Sequence, residues 1–334
     1  MSEDHLHVVF GTGQVGRALT AHLTEAGLSA RAVSRTRPVG LLDGIDWRAV
    51  DATDPDAATD AAEGASVVYQ CLNAPYTDWP ERFPPLQRGV LAAAERNDAL
   101  MVSLENVYGY GPTGGRPLTE DLPLAATSVK GRTRAAMTGE LLAAVAAGQV
   151  RIAIGRASDF FGPGVTESNL GERVFANAVA GKRADFIGNP DLPHTYSYVP
   201  DIAAGLATLG TDERAVGGVW HLPGPETVST RQLLELVADD TATQSRFARS
   251  PSSPCAHSAC STQRCASCPR WPTSSKSPSS STPPNTSPPS KPTARHSRPP
   301  LPQPLPGTAT GRADGPQDVA PCRKSRRAAR GYTA

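Results

Sequence analysis

The sequence predicts an α/β fold, a doubly wound parallel sheet, and three observations carry that expectation. Continuous apolar strand-like runs alternate with helical stretches along the first part of the chain, the pattern of strands covered on both faces. The first run, His7-Val8-Val9-Phe10, breaks into Gly11-Thr12-Gly13-Gln14-Val15-Gly16 and then into a helical pattern from Arg17 to Leu23. Near Thr241 the apolar periodicity stops, so the folded part is expected to end there.

In the first turn Gly11 permits the tight exit from the strand. Gly13 lets the backbone approach a pyrophosphate, and Gly16 lets the helix pack closely on the strand. The free N–H groups of the helix start face the anion. Ser29–Ser34 reads as the second strand, ending in Arg35-Thr36-Arg37-Pro38, and Asp46–Val50 as a short third, ending at Asp51. Asp54 is the expected cap of a short helix with Pro55 at its first position, running to about Ala62. Ala65–Leu72 is the fourth strand. A loop with Pro75, Pro80 and Pro84 is expected to lead into a helix from Leu86 to Arg96. Leu100–Ser103 is strand five, Lys130–Ala147 a helix, and Val150–Ile154 strand six. A sheet of this kind binds its ligand at the carboxyl ends of its strands.

Composition narrows the class. The chain has 334 residues, enough for one large α/β domain or two lobes with a sizeable core. A net charge of +1 carries no argument for nucleic acid, and no such partner is expected. The start of the chain is polar up to His7, without the look of a secretory leader, and no run approaches a membrane span. Five of the six cysteines lie after residue 254 and only Cys71 in the patterned part, so disulfides are not expected to hold the fold, and a cytoplasmic protein is.

The order of motifs resembles the extended short-chain dehydrogenase/reductases, in their NAD-dependent epimerase/dehydratase branch. The residues that carry the resemblance are the Gly11–Gly16 loop, Asp51 after strand three, Asn73-Ala74 after strand four, and Val107-Tyr108-Gly109 after strand five. Further support comes from the run Gly155 to Gly164, from His194 to Asp201, and from Gly218 to Gly224. The resemblance covers residues 6 to about 240. It implies a Rossmann-type dinucleotide domain over 1–150. Residues 151–240 then hold the remaining strands and a small substrate lobe, and 241–334 an irregular Pro/Ser-rich tail. It also implies a small-molecule substrate and, as is usual in the family, a homodimer through a helix pair.

At the end of strand two an acidic residue would accept hydrogen bonds from the adenosine ribose. Here stand Ser34-Arg35, with Arg37 behind, and a guanidinium suits a ribose phosphate. NADP is therefore expected over NAD, unless these arginines are only a solvated edge. Asp51 and Ala52 are candidates for the adenine edge, Asp51 being equally readable as a strand-end cap, and Leu72, Asn73 and Ala74 for the adenosine and ribose side.

In the family a Tyr with a Lys four residues later moves the proton, and a Ser or Thr ahead of the Val-Tyr-Gly element helps hold the substrate oxygen. No tyrosine here has Lys at that spacing. The matching segment is Lys130-Gly131-Arg132-Thr133-Arg134, so Lys130 stands for Tyr and Arg134 for Lys. The Ser position aligns with Leu104, with Ser103 adjacent. Arg134 can hold the nicotinamide ribose but cannot act as a base. Lys130 becomes an acid–base group if like charge and burial lower its pKa; otherwise it is a solvated residue at a helix start. Tyr108 and Tyr110 offer a phenol from the other side of the crevice, or are packed aromatics. By resemblance the Gly162-Pro163-Gly164 loop and the segment His194–Asp201 line the pocket, where His194 either polarises a carbonyl or is a hydrogen-bonded loop residue. An enzyme with an atypical acid–base set and a catalytically silent NADP-binding sensor or interaction protein both fit.

Between Asp240 and Asp314 there is no Asp or Glu, while Pro and Ser abound. A disordered basic extension explains that; zinc at Cys265-x-x-Cys268 fits poorly, because the other spacings make no second knuckle. A shifted reading frame explains more. Read one base out of register, Ser and Pro codons become aliphatic and small residues, and His257–Thr286 then resembles a globular ending. Leu233, Leu234, Leu236 and Val237 would in that case be left exposed.

Overall fold

The computed structural model describes residues 5–166, 168, 170–180, 182, 184–186, 188–241 and 247–249. The chain divides into two compact units, Met1–Cys260 and Ser261–Ala334, and the described residues all belong to the first. The tail cysteines and the segment read in a second frame lie outside the described residues.

Along the chain the elements are β1 (Leu6–Phe10), α1 (Gln14–Glu25), β2 (Ser29–Ser34), β3 (Asp46–Ala49), α2 (Pro55–Ala61), β4 (Ala65–Gln70) and α3 (Trp79–Arg96). There follow β5 (Leu100–Asn106), a single 3-10 turn at Val107–Gly109, α4 (Val129–Ala146), β6 (Ile152–Ala157) and β7 (Asp159–Phe161). A wide helical turn at Gly171–Ala176 runs into α5 (Asn177–Val179). The remainder is β8 (Ala184–Phe186), β9 (Pro193–His194), β10 (Tyr196–Tyr198), α6 (Val199–Thr211), a 3-10 turn at Glu213–Ala215, β11 (Val219–His221), β12 (Val228–Ser229), α7 (Thr230–Thr241) and β13 (Phe247–Arg249).

Seven strands form one parallel sheet in the order β11-β6-β5-β4-β1-β2-β3. The chain starts in the middle, winds outward to β3, then returns to β4 on the other side of β1. The switch therefore falls between β1 and β4, where two diverging connections leave a crevice. Apolar residues on both faces cover the middle strands of the sheet. Val8, Phe10, Val68, Met101 and Ile154 pack with Val90, Ala94 and Leu141 of α3 and α4. Val9, Tyr69, Val102 and Ala153 pack with Leu19 and Leu23 of α1 and Ile202 and Leu206 of α6.

Local chemistry sets the helix starts. The Asp54 carboxylate accepts from the Asp56 and Ala57 amides ahead of Pro55, and Ser128 Oγ accepts from the Gly131 amide at the start of α4. The proline-rich stretch departs from expectation. α3 begins at Trp79, seven residues before Leu86, and runs through Pro84 and Pro85. Pro80 lies in the first turn, where no amide donor is needed, whereas Pro84 and Pro85 each remove an intrahelical bond. Burial of Trp79, Phe83 and Gln87, spaced four apart and at most 3% exposed, holds the helix together across that gap. Gly89 lets α3 lie against the residues ahead of α2: a Cβ there would come 1.8 Å from the Ala52 carbonyl oxygen.

A separate core cluster gathers Leu170, Val174, Ala178, Ala184, Tyr196 and Leu234. Three small pairings brace it, β7 with β10, β9 with β12, and β8 with β13. Here too an expectation is corrected. Leu234 is buried and Leu233 and Val237 pack on this core, because α7 folds back onto it; of the four only Leu236 is largely exposed.

One polar pair is enclosed under α1 and α6. His7 Nδ1 lies 2.9 Å from the Tyr69 hydroxyl. Burial, helped by the neighbouring His5, depresses the His7 imidazole from 6.5 to about 4. The unfolded chain takes up this proton near pH 6.5 and the folded chain resists it until about 4. The contribution to stability is complete above pH 6.5 and is lost as the pH falls toward 4, on the order of 2–3 kcal/mol. The double variant His7→Phe/Tyr69→Phe leaves no orphaned partner, so its urea midpoint between pH 7 and 4.5 should fall less steeply than that of the parent.

Candidate functional site

The turn between β1 and α1 is built by close backbone approach. Gly11 has φ +99°, and a Cβ there would lie 2.6 Å from the Cys71 carbonyl oxygen. A Cβ on Gly16 would lie 1.8 Å from the Gly11 carbonyl oxygen, so the helix is seated directly on its own turn. At Gly13 nothing lies within 4 Å, and no side chain caps α1. The helix start is thus open and uncapped beside Thr12, Gln14 and Val15, with its amide donors directed at the space over the turn.

The other candidate positions lie at the carboxyl ends of the neighbouring strands. Ser34 Oγ is engaged, accepting from Trp47 Nε1 at 3.0 Å and donating to the Thr36 carbonyl at 2.9 Å. Arg35 is exposed, and Arg37 reaches over the Trp47 ring. Asp51 accepts from both the amide and the hydroxyl of Thr53, and those bonds, with the charge of Arg35, hold its carboxyl below the usual range. Asp51 thus closes the strand end through Thr53 and lies close enough to feel Arg35. Ala52 turns its methyl into the core. Leu72 is half-buried and Asn73 exposed, while the Ala74 carbonyl accepts from Trp79 Nε1.

The chemistry-bearing residues lie on the other side of the switch. A cleft of about 620 Å³ is lined by Tyr76, Thr77 and Pro80, by Tyr108, and by Ser128, Val129 and Lys130. Lys130 Nζ is 3.5 Å from the centroid of the Tyr76 ring, and the Tyr76 hydroxyl donates to that of Tyr108 at 3.0 Å. Burial, that hydrogen bond and the carboxylate of Asp159 push the Tyr108 phenol far above its ordinary value, so it stays protonated. Lys130 and Tyr108 therefore share one cleft, and Tyr76, which sequence reasoning missed, stands between them. No spacing rule ties a loop tyrosine to a helix start 54 positions later.

Ser103 and Arg134 are placed differently. Ser103 is fully buried and its hydroxyl has no partner, because strand alternation turns it toward the helices instead of the cleft. Arg134 is 4% exposed. Its Nη2 donates to the Leu104 carbonyl at 3.1 Å and its guanidinium carbon lies 4.7 Å from the Phe83 ring centroid, while Nε and Nη1 have no partner. His194 Nε2 lies 3.2 Å from Asp159 Oδ2, and its ring is tilted against Tyr196.

A second unforeseen feature is a buried polar chain under α4. Thr138 Oγ1 lies 2.8 Å from both oxygens of Glu105, and Arg156 Nε lies 3.3 Å from Oε2, with both ionic side chains at most 4% exposed. Arg156 Nη1 donates to the Tyr110 hydroxyl at 2.7 Å, which lies 2.8 Å from His221 Nε2. The phenol oxygen accepts from Arg156, and the direction of its bond with His221 follows the imidazole tautomer. Burial lowers the His221 pKa against the opposing pull of Glu120, whose carboxylate accepts the His221 amide. Tyr110 is accordingly a packed and satisfied aromatic. Glu105 and Arg156 face each other only because β5 and β6 pair in that register, which the sequence does not display.

Fold and turn together define a parallel, doubly wound α/β protein with a glycine-rich anion-binding turn after its first strand. The family model for the NAD dependent epimerase/dehydratase family matches residues 8–221, and the chain belongs to that family. Solved structures share the fold. Epimerase Mth375 from Methanothermobacter thermautotrophicus aligns at 16% identity and TM-score 0.64, over 74% of this chain and 80% of its own. UDP-N-acetylglucosamine 4-epimerase from Bacillus cereus aligns at 14% identity and TM-score 0.64, over 74% and 85%. UDP-glucose 4-epimerase from Thermus thermophilus, in complex with NAD, aligns at 18% identity and TM-score 0.61, over 73% and 86%. Among curated sequences, protein y4nL of Sinorhizobium fredii (strain NBRC 101917 / NGR234) is 26% identical over 140 residues, 42% of this chain and 38% of that protein's length. No helix among the described residues is long and apolar enough to cross a membrane.

The polar chain predicts a ranked loss of stability. Arg156→Met strands the Glu105 carboxylate in the interior and should cost about 3–5 kcal/mol. Thr138→Val removes one hydroxyl donor and should cost about 1–3 kcal/mol. Urea denaturation of both variants beside the parent checks the order.

Proposed function

We propose that the protein is an NADP-binding oxidoreductase of the epimerase/dehydratase type, acting on a small carbonyl or sugar-type substrate through an atypical acid–base set. The observation that carries this reading is the β1–α1 turn, where Gly11 and Gly16 are fixed by close contact while Gly13 and the helix start are left open. That geometry fits a pyrophosphate. Arg35, exposed at the end of β2 with no acidic residue in its place, supports a 2′-phosphorylated dinucleotide. Thermus thermophilus UDP-glucose 4-epimerase, a structural neighbour, is solved with NAD, which supports the nicotinamide class.

In this reading the backbone from Gly11 to Gly16 holds the pyrophosphate. Ser34 and Arg35 hold the ribose phosphate, Asp51 and Ala52 border the adenine, and Leu72, Asn73 and Ala74 flank the adenosine. Arg134, which the family resemblance would give to the nicotinamide ribose, is enclosed with its unpartnered nitrogens and supports the site from behind the cleft wall. The nicotinamide, when bound, accepts or donates a hydride. Lys130 and Tyr108 then hold and move the proton of the substrate oxygen, Lys130 from the helix start and Tyr108 as a phenol kept protonated by burial. Ser103 belongs to the support of this site, since its hydroxyl is enclosed. A cytoplasmic setting and a homodimer are part of the same reading. One observation favours a second reading, a silent NADP-binding sensor: no tyrosine precedes Arg134 by four residues, and guanidinium does not exchange protons near neutrality.

NADPH should bind at least about tenfold more tightly than NADH, and Arg35→Ala should remove about that factor for NADPH while leaving NADH nearly unchanged. Fluorescence titration of the reduced nucleotides measures both, and tighter NADH binding overturns the choice of cofactor. NADPH consumption against nucleotide sugars, ketones and aldehydes separates enzyme from sensor, and unchanged turnover in Lys130→Ala removes that lysine from the chemistry.

A further inference from the structure

Among the described residues the buried carboxylate and guanidinium groups are those of Glu105, Arg134 and Arg156, and their charges do not cancel. Glu105 and Arg156 pair at 3.3 Å. Arg134 has no carboxylate of its own: Nη2 reaches the Leu104 carbonyl, and Nε and Nη1 have no partner. Burial works against its charge, Glu105 supports it and Arg156 opposes it, yet a guanidinium keeps its proton. One positive charge is thus enclosed in excess, and that is costly unless a negative charge joins it.

Further unpartnered groups gather beside it. Val68 and Met101 pack under α3 and α4, so by strand alternation Gln70 and Ser103, two residues on, face the same way. The two are direct partners in the pairing of β4 with β5, which sets their backbones about 5 Å apart. Each is at most 1% exposed, and neither Ser103 Oγ nor either end of the Gln70 carboxamide has a partner, so they do not bond to one another. Ser103 immediately precedes Leu104, whose carbonyl receives Arg134. Above them Gln87 of α3 donates to the Met137 carbonyl, one turn along α4 from Arg134, while its Oε1 has no partner.

We propose that Arg134, Ser103 and Gln70 hold a small monovalent anion of the halide class, enclosed between the sheet and helices α3 and α4. Four of the unpartnered atoms are donors, Arg134 Nε and Nη1, Ser103 Oγ and Gln70 Nε2, against the two carboxamide oxygens. A cation is excluded by the guanidinium. Water meets the donors but leaves the charge, whereas a halide meets both, and as a sphere it accepts from N–H and O–H groups in any direction. Larger oxyanions do not fit, since these atoms are closed to solvent. The ion lies behind the cleft wall and is held whether or not a dinucleotide binds.

The test uses the full chain. It is unfolded by heat in sodium gluconate, an anion too large to be enclosed, and chloride or bromide then replaces gluconate at constant ionic strength. The midpoint should rise by about 2–4 °C and level off as the halide approaches about 0.2 M. Ser103→Ala keeps the guanidinium and removes one donor, so the half-saturating chloride concentration should rise at least about tenfold. Arg134→Met removes the charge, and its midpoint should be the same in all three salts. A crystal soaked in bromide should show an anomalous peak between Arg134 and Ser103. Equal midpoints of the parent in gluconate and halide overturn the proposal, and so does a halide response that Arg134→Met retains. If Arg134→Met does not fold, Ser103→Ala decides, and an unchanged half-saturating concentration there overturns it. Water density in place of the bromide peak overturns it as well.

Discussion

The carboxylate of Glu105 is 2% exposed and held between Thr138 of α4 and Arg156 of β6. A buried charge is tolerated only when it is paired and its lone pairs are met, so this group permits very few arrangements of the elements around it. It joins the middle of α4 to the carboxyl ends of two adjacent strands. Two turns upstream of Thr138 the same helix starts with Ser128, Val129 and Lys130, and its Arg134 reaches the Leu104 carbonyl next to Glu105. The position of Lys130 over Tyr76 thus depends on an ion pair that never touches the cleft. Through Arg156, Tyr110 and His221 the network also ties the connection after β5 to the edge strand β11.

What the sequence shows plainly is the part governed by local rules. Strand runs, the Asp54-Pro55 helix start and the glycine turn each need only neighbours within a few residues, and each is where its pattern places it. The proline-rich stretch failed as a loop because burial of Trp79 and Phe83, a tertiary effect, outweighs the two bonds lost at Pro84 and Pro85. The Glu105 network was hidden for a different reason. A lone acid in an apolar strand and a lone arginine in another become a pair only through sheet register, and register is a property of two segments at once. Tyr76 was hidden similarly, as a loop residue whose role comes from the helix start opposite it.

Leu104, Arg134 and Lys130 fit one another physically. The Leu104 side chain packs into the core on the α1 and α6 side of the sheet. Its carbonyl remains available and receives Arg134. A lysine there would present one ammonium to that carbonyl, whereas arginine has a planar group to lay against Phe83 as well. Held in this way, Arg134 is withdrawn behind the cleft wall, and the positive charge facing the cleft is that of Lys130. The phenols of the cleft come from Tyr76 and Tyr108, on the loops after β4 and β5. A lysine at the helix start faces two tyrosines across from it. The helix start thus forms the cationic wall of the cleft and the two loops its aromatic wall.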